Sequence, residues 1–402
     1  MSLTTPRLMA HGPFESIAID VTRNSAVIRL RNGQSVTTPS IFPTTDTPPV
    51  IARVLYTYAD RTLTVTTAAG ERAELEIGSP GDDAPRAGRR VVYLDQCHWS
   101  ALARHLDDPT ALAPGEAAAA TRLIAWAKAR QIILPLSSGH VIETTPMFGP
   151  KRHRQALAML RLSRGWHMRD PVRVRRDEIL RAVGLTDPEP TARPDVFTLD
   201  PDTLYLNGET PAASDDLPGY FGWLSQRLTT VTANFDLLID PERIPPEKTT
   251  GWSDQMASIA RDPAFLQLPT GQRRTAARVQ ALHDVIAEPA VLLALTGSGL
   301  APEEAAAALV EGLLERRDTM PFLRLHADAL GVRLLNPTAK WVPNDLIDML
   351  YLGCATAYAD AVAAERAAAQ YLSAAWGDRS ASCPVVAKLS ELVGLLESLG
   401  LV

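Results

Sequence analysis

The hydrophobic pattern of the chain changes character near residue 90. From Ile17 to Ile77 apolar and polar residues alternate over short runs, SAVIRLRNG, VIARVLYTY and LTVTTAAGERAELEI, with Asn32-Gly33 and Ala69-Gly70 in turn positions. Period-two alternation broken by turn residues predicts a small antiparallel β unit. The stretch GSPGDDAPRAGRR, residues 78–90, has no apolar period and is rich in Gly, Pro and charge, which predicts a boundary. A β domain over 1–80 is therefore expected, followed by a linker over 81–90.

Beyond Arg90 the apolar runs are continuous. VVYLD leads directly into a helical stretch, SALARHL; an alanine-rich helix from about Pro114 to Arg130 leads to a second run, IILPL, at 132–136. Strand, helix, strand in that order, with strands apolar throughout, predicts a parallel sheet covered on both faces. Near the other end, a helix is expected from Pro343 to Tyr358, a short strand from Asp360 to Ala364, a helix from Glu365 to Trp376, a buried strand in CPVVA and a closing helix in LSELVGLLESLG. Residues 91–150 and 343–402 thus read as one α/β domain. Residues 151–342 read as a mainly helical insertion, in which 186–220, rich in Pro, Asp and Thr, reads as an extended loop.

Composition adds limits. With 46% hydrophobic and 21% charged residues the chain is of ordinary globular type. The start, MSLTTPRLMAHGPF, lacks an apolar stretch behind a basic end, and the window Val291–Leu300 is far short of the roughly 20 residues a bilayer span requires. Neither a secretory leader nor a membrane role is expected, and the expected location is cytoplasmic. Cys97, Cys354 and Cys383 show no zinc or disulfide spacing. A net charge of −6 argues against indiscriminate nucleic-acid binding, so local clusters carry more weight.

Carboxylates recur where strands end. Asp95 closes the first strand, at the edge where parallel α/β sheets bind ligands, although a helix cap would use the same residue. Glu143 lies just past the second strand, three residues after His140, on a short helix that Ser137 or Ser138 can cap. Asp345 and Asp348 stand one turn apart on the helix NDLIDMLYLGCATAYAD, where Asp345 is the better placed to favour the helix N-terminus. Asp360 precedes the short third strand and Glu365 follows it. Carboxylates gathered without lysines repel one another unless divalent cations neutralise them. Oxygen ligands without Cys or paired His select Mg²⁺ or Mn²⁺, and such ions suit phosphodiester hydrolysis.

VVYLDQCHWSAL, HVIETTP and NDLIDMLYLGCATAYADAVAAER together resemble the PIN-like nuclease family. The resemblance implies a parallel sheet flanked by helices, a Mg²⁺- or Mn²⁺-dependent nuclease with RNA favoured over DNA, and Asp95, Glu143, Asp348 and Glu365 as its metal-binding, catalytic carboxylates, with Asp360 and Asp345 as alternates. A toxin, a defence effector or an RNA-processing enzyme would each fit, as would a PIN-like scaffold that binds RNA or protein without turnover. Two departures stand out: some 190 residues separate the second and third acids, and the fourth acid is Glu where Asp is commoner. A phosphatase of small substrates is a weaker alternative. A regulatory protein partner and a homodimer are left open.

Residues 151–181 hold ten Lys or Arg against three acids. They read as a phosphate track beside Glu143, with Arg152, Arg154, Arg161, Arg164, Arg173, Arg175 and Arg176 on the backbone, His140 near substrate, and Trp166 and His167 able to stack on a base. The competing reading is a helical face paired with acids elsewhere. His98, like His140, reads as a hydrogen-bonded packing residue more readily than a catalytic one. Trp99 reads as core, and Cys97 as a small buried thiol.

Overall fold

The computed structural model describes residues 13–39, 50–78, 86–147, 149–182, 196–200, 219–239, 251–286, 301, 303–304, 320–342, 344–376 and 383–402. The alternating N-terminal text forms strands β1 (Phe14–Asp20), β2 (Ser25–Leu30), β3 (Ser35–Pro39), β4 (Ile51–Thr57), β5 (Thr62–Thr67) and β6 (Arg72–Glu76). They build one antiparallel sheet in the order β3-β2-β1-β4-β5-β6. In β4 the register shifts between Ile51 and Arg53. That extra residue changes the parity of the strand, so that Ile51, Val54 and Tyr56 are all buried. Gly33 closes the β2–β3 turn with φ +85°, a conformation that side chains with a Cβ resist.

The rest of the chain runs β7 (Arg90–Leu94), α1 (Gln96–Asp107), α2 (Pro114–Lys128), β8 (Ile132–Ile133), α3 (Ser138–Thr144), α4 (Gly149–Ser163), β9 (His167–Met168), α5 (Pro171–Ala182) and β10 (Phe197–Thr198). It continues with α6 (Gly219–Ile239), α7 (Gly251–Arg261), α8 (Pro263–Gln267), α9 (Thr270–Ile286), α10 (Pro321–Leu334) and α11 (Asp345–Tyr358). The end is formed by β11 (Ala361–Ala363), α12 (Arg366–Trp376), β12 (Val385–Val386) and α13 (Leu389–Ser398). The molecule is thus of mixed α/β class, as the sequence pattern predicts. Pro343 and most of 186–220 lie outside the described residues.

Four strands form the central sheet in the order β12-β11-β7-β8, all parallel. Its two faces explain the unbroken apolar runs. Val92 and Leu94 of β7, with Ala361 and Ala363 of β11, enter a core that also holds Trp99, Leu123, Leu392 and, from the antiparallel sheet, Leu63 and Val65. Val91 and Tyr93, with Val362 and Ala364, enter a second core with Trp166, Phe322, Leu330 and Leu352. Each such side chain contributes about 1.5–3 kcal/mol on full burial.

Residues 151–342 are therefore more than an appendage: α4 packs on α1 and β6, and α10 packs on α11 and α12. An unexpected antiparallel pair, β9 with β10, also forms here. The N-terminal sheet is joined to the body by Glu76, whose carboxylate accepts from Arg89 (3.1 and 3.0 Å) and from Trp166 Nε1 (3.3 Å), with Arg164 Nε at 3.4 Å. The Arg89 guanidinium lies 5.0 Å from the centre of the Trp166 ring. Gly165, at φ +88°, allows the close approach, since a Cβ there would meet Glu76 O at 2.8 Å. No described helix is long and apolar enough to cross a membrane.

Candidate active site

The carboxyl edge of the parallel sheet collects acids from three different segments. β7 ends at Leu94, and Asp95 caps α1, with Oδ1 accepting from Gln96 N at 2.7 Å. Its other oxygen accepts from Glu365 N at 3.2 Å, and Asp95 N donates to Ala363 O at 2.8 Å. One residue thus ties the ends of β7 and β11, and it brings the backbone of Glu365 alongside a residue 270 positions away. The Glu365 side chain is exposed. Glu143 is half-buried on α3, which starts from a capping box between Ser137 and His140. Helix α3 is held by Tyr93 Oη with Ser137 Oγ (2.9 Å), Ser138 Oγ with Tyr351 Oη (2.7 Å) and Gln96 Nε2 donating to Thr144 (2.8 Å). These tyrosines and Gln96 were not singled out from sequence; the one signal was a phenol inside an otherwise aliphatic strand.

The two aspartates of α11 differ in their surroundings. Asp345 is buried, 2.6 Å from Arg333 and accepting from Val342 N at 2.6 Å. Arg333 also lies over the rings of Trp341 and Tyr371. Asp348, one turn later and partly buried, has a side chain with no hydrogen bond or ion pair among the described residues. Its carboxyl is pushed up to about 7, chiefly by burial and then by the negative charges of Asp95, Asp345 and Glu365. The Cys97 thiol is pushed up by burial first and then by Asp95, Glu365 and Glu143. Asp95, Glu143, Asp348 and Glu365 thus lie within electrostatic reach of the region around Cys97 and Asp348.

The side-chain donors are all oxygens, which fits Mg²⁺ or Mn²⁺ in kind. Among the described residues no group of three His, Cys, Asp or Glu side chains is arranged to hold a metal ion.

Several expected site residues lie elsewhere. Asp360 is at the opposite, amino edge of the sheet, where its carboxylate binds Arg86, Arg90 (3.3 Å) and Val91 N (2.7 Å). A three-residue strand, roughly 10 Å long, separates it from Glu365. Asp345 is already neutralised by Arg333. His140 is buried, its ring held by Ser137 N (3.1 Å) and Leu94 O (2.8 Å), and burial pushes it down to about 4. It is an architectural residue and does not face substrate. His98 is likewise buried, with Nε2 3.4 Å from Ala364 O and its basicity lowered by burial. Trp99 is core.

The basic run does not form the expected track. Arg152 is buried, donating to Leu238 O (3.2 Å) and Thr145 O (3.1 Å). Arg161 donates to Arg72 O at 2.8 Å, and Arg164 is held by Glu74 and Glu76. Arg175 is buried, and Arg176 lies 3.6 Å from Asp177. Trp166 and His167 are buried and cannot receive a base. The physical reason is charge pairing: the acids of β6 and its turn, Glu71, Glu74 and Glu76, draw this face onto the N-terminal sheet. Arg154 and Arg161 are the exposed members of the expected set, Arg154 lying 2.7 Å from Asp107 with both side chains half exposed.

Comparison with family models, with curated proteins and with solved structures finds no match to this chain.

Proposed function

We propose that this chain is a Mg²⁺- or Mn²⁺-dependent nuclease of PIN-like kind, most simply an endoribonuclease, with Asp95, Glu143, Asp348 and Glu365 as its metal-binding carboxylates. The observation that supports this reading is Asp348, a partly buried carboxyl near the carboxyl edge of the parallel sheet whose side chain has no hydrogen bond or ion pair among the described residues. Asp348 is partly withdrawn from water and feels the negative charges of Asp95, Asp345 and Glu365, while Arg333, which acts on it favourably, is engaged by Asp345. A buried carboxylate without a partner costs stability, so its retention at the ligand-binding edge of an α/β sheet points to use.

In this reading Asp95 is the fixed member, because two backbone N–H groups hold its oxygens. Asp348 supplies a second carboxylate from a rigid helix. Glu365, at the surface, and Glu143, on a short helix, complete the set from the substrate side. A divalent cation held there would polarise the phosphate and activate water. Arg333, Trp341 and Tyr371 keep Asp345 from competing as a ligand.

A non-catalytic scaffold that binds RNA or protein is the second reading, since no group of three His, Cys, Asp or Glu among the described residues is arranged to hold a metal ion. The two separate in one experiment. Labelled single-stranded RNA and DNA are incubated with the full chain and Mg²⁺, Mn²⁺ or chelator. The nuclease reading expects metal-dependent cleavage that Asp95→Asn and Asp348→Asn reduce about 100-fold or more. Binding that persists in chelator, with no cleavage under any condition, supports the scaffold and overturns the nuclease.

A further inference from the structure

Helices α1 and α4 face each other across a cavity of about 200 Å³ lined by Ser100, Ala103, Arg104, Lys151, Arg154 and Gln155. The lining follows from helical spacing. Each helix contributes positions i, i+3 and i+4, which share one face. Ala103 leaves room between the larger side chains. At the cavity wall the buried Gln155 accepts from Ser100 Oγ at 2.7 Å, while its Nε2 is buried with no hydrogen-bond partner. Arg154 is shared with Asp107. Arg104 and Lys151 are exposed and have no ion pair among the described residues. Three cations around one hollow, in a chain of net charge −6, form a local positive site that no packing role explains.

We infer that this cavity seats phosphate groups of a single-stranded nucleic acid whose backbone leads on to the carboxylate edge. Arg104 and Lys151 supply the free positive charge. Arg154 can exchange its exposed carboxylate for a phosphate oxygen. The placement suits a neighbouring subsite, since Asp95 caps the same helix. Ser100 and Arg104 lie roughly 8 and 14 Å along its axis from that cap. The choice of a polynucleotide over other phosphates rests on the reading of the carboxylate edge given above; the anion seat does not.

The test measures binding of a labelled single-stranded RNA, in chelator and over a series of salt concentrations, for the full chain and for R104E/K151E, R104K/K151R and R23E. Both target side chains are exposed, and Arg23 is an equally exposed cation on the N-terminal sheet. Loss of about tenfold or more in affinity is expected for R104E/K151E, with the slope of log affinity against log salt reduced by about 1.4 for two lost contacts. R104K/K151R and R23E should bind as the parent does. Equal affinity and slope in R104E/K151E and parent, or an equal loss in R23E, would overturn the inference. So would a parent chain that binds no RNA. Pyrophosphate serves as the second probe: tight binding of it without RNA binding overturns the polynucleotide assignment. Asp95→Asn separates the two proposals, because it should abolish cleavage while leaving binding in chelator unchanged. RNA bound at this cavity but never cut would sink the nuclease and leave the seat standing.

Discussion

Replacing Asp348 with Asn should stabilise the metal-free protein at alkaline pH, against the usual direction of core substitutions. The carboxyl moves from an ordinary value of 3.8 up to about 7 in the folded chain. At 1.36 kcal/mol per unit, a rise of roughly three units corresponds to about 4 kcal/mol as an upper bound. Solvent reaches this side chain in part, so on the order of 1–3 kcal/mol is the working figure. The sign follows from proton counting. Below pH 4 both folded and unfolded chains hold the proton. Between about 4 and 7 the folded chain keeps a proton that the unfolded chain has lost, so the contribution of this group falls as pH rises. Above 7 the full penalty is present in the parent and absent from Asp348→Asn. Thermal unfolding in chelator at pH 5 and pH 8 measures this. The variant should melt slightly higher than the parent at pH 5, where roughly 40% of the penalty is present, and its advantage should grow by at least about 2 °C at pH 8. Added Mn²⁺ should then raise the midpoint of the parent and not that of the variant. A variant that melts lower than the parent by the same amount at both pH values would refute the reasoning, because Asp348 would then be a packing residue indifferent to charge.

Two further outcomes follow from buried contacts. Glu178 is fully buried and accepts from Phe322 N (2.9 Å), Leu323 N (2.8 Å) and the Tyr358 hydroxyl; Glu178→Ala strands all three donors and should cost about 3–5 kcal/mol, read as a lowered unfolding midpoint, whereas Glu178→Gln should recover part of the loss. Gly165→Ala combines a strained φ with a backbone collision at Glu76 O, so about 1–3 kcal/mol should be lost, with limited proteolysis cutting first in the N-terminal sheet.

The fold was legible wherever periodicity and position coincide. Strand, helix, strand after Arg90, the helix carrying Asp345 and Asp348, and the closing CPVVA strand are all found within a few residues of their expected bounds. The edge location of Asp95 and Glu365 follows from the same pattern, since a residue just past a parallel strand has few other places to go. Three things were not legible. Asp360 and Glu365 read alike as flanking acids, and only strand direction separates the amino edge from the carboxyl edge. The partners of the basic run lie some 80 to 90 residues upstream, in β6 and the turn before it; ten cations in 31 residues look like a binding face until the acids that meet them are located. The seat between α1 and α4 needs two helices from separate segments to be aligned. Arg104 alone, in SALARHL, carries no mark of it.

The interior position of β11 between β7 and β12 has a consequence for biosynthesis. The strand that completes the sheet is made some 270 residues after the one it pairs with. At 5–20 residues per second, that is a delay of roughly 14 to 54 s during which β7 has an open flank on the ribosome. The acidic edge shared by Asp95 and Glu365 therefore forms only after nearly the whole chain has emerged, and incomplete translation products lack it.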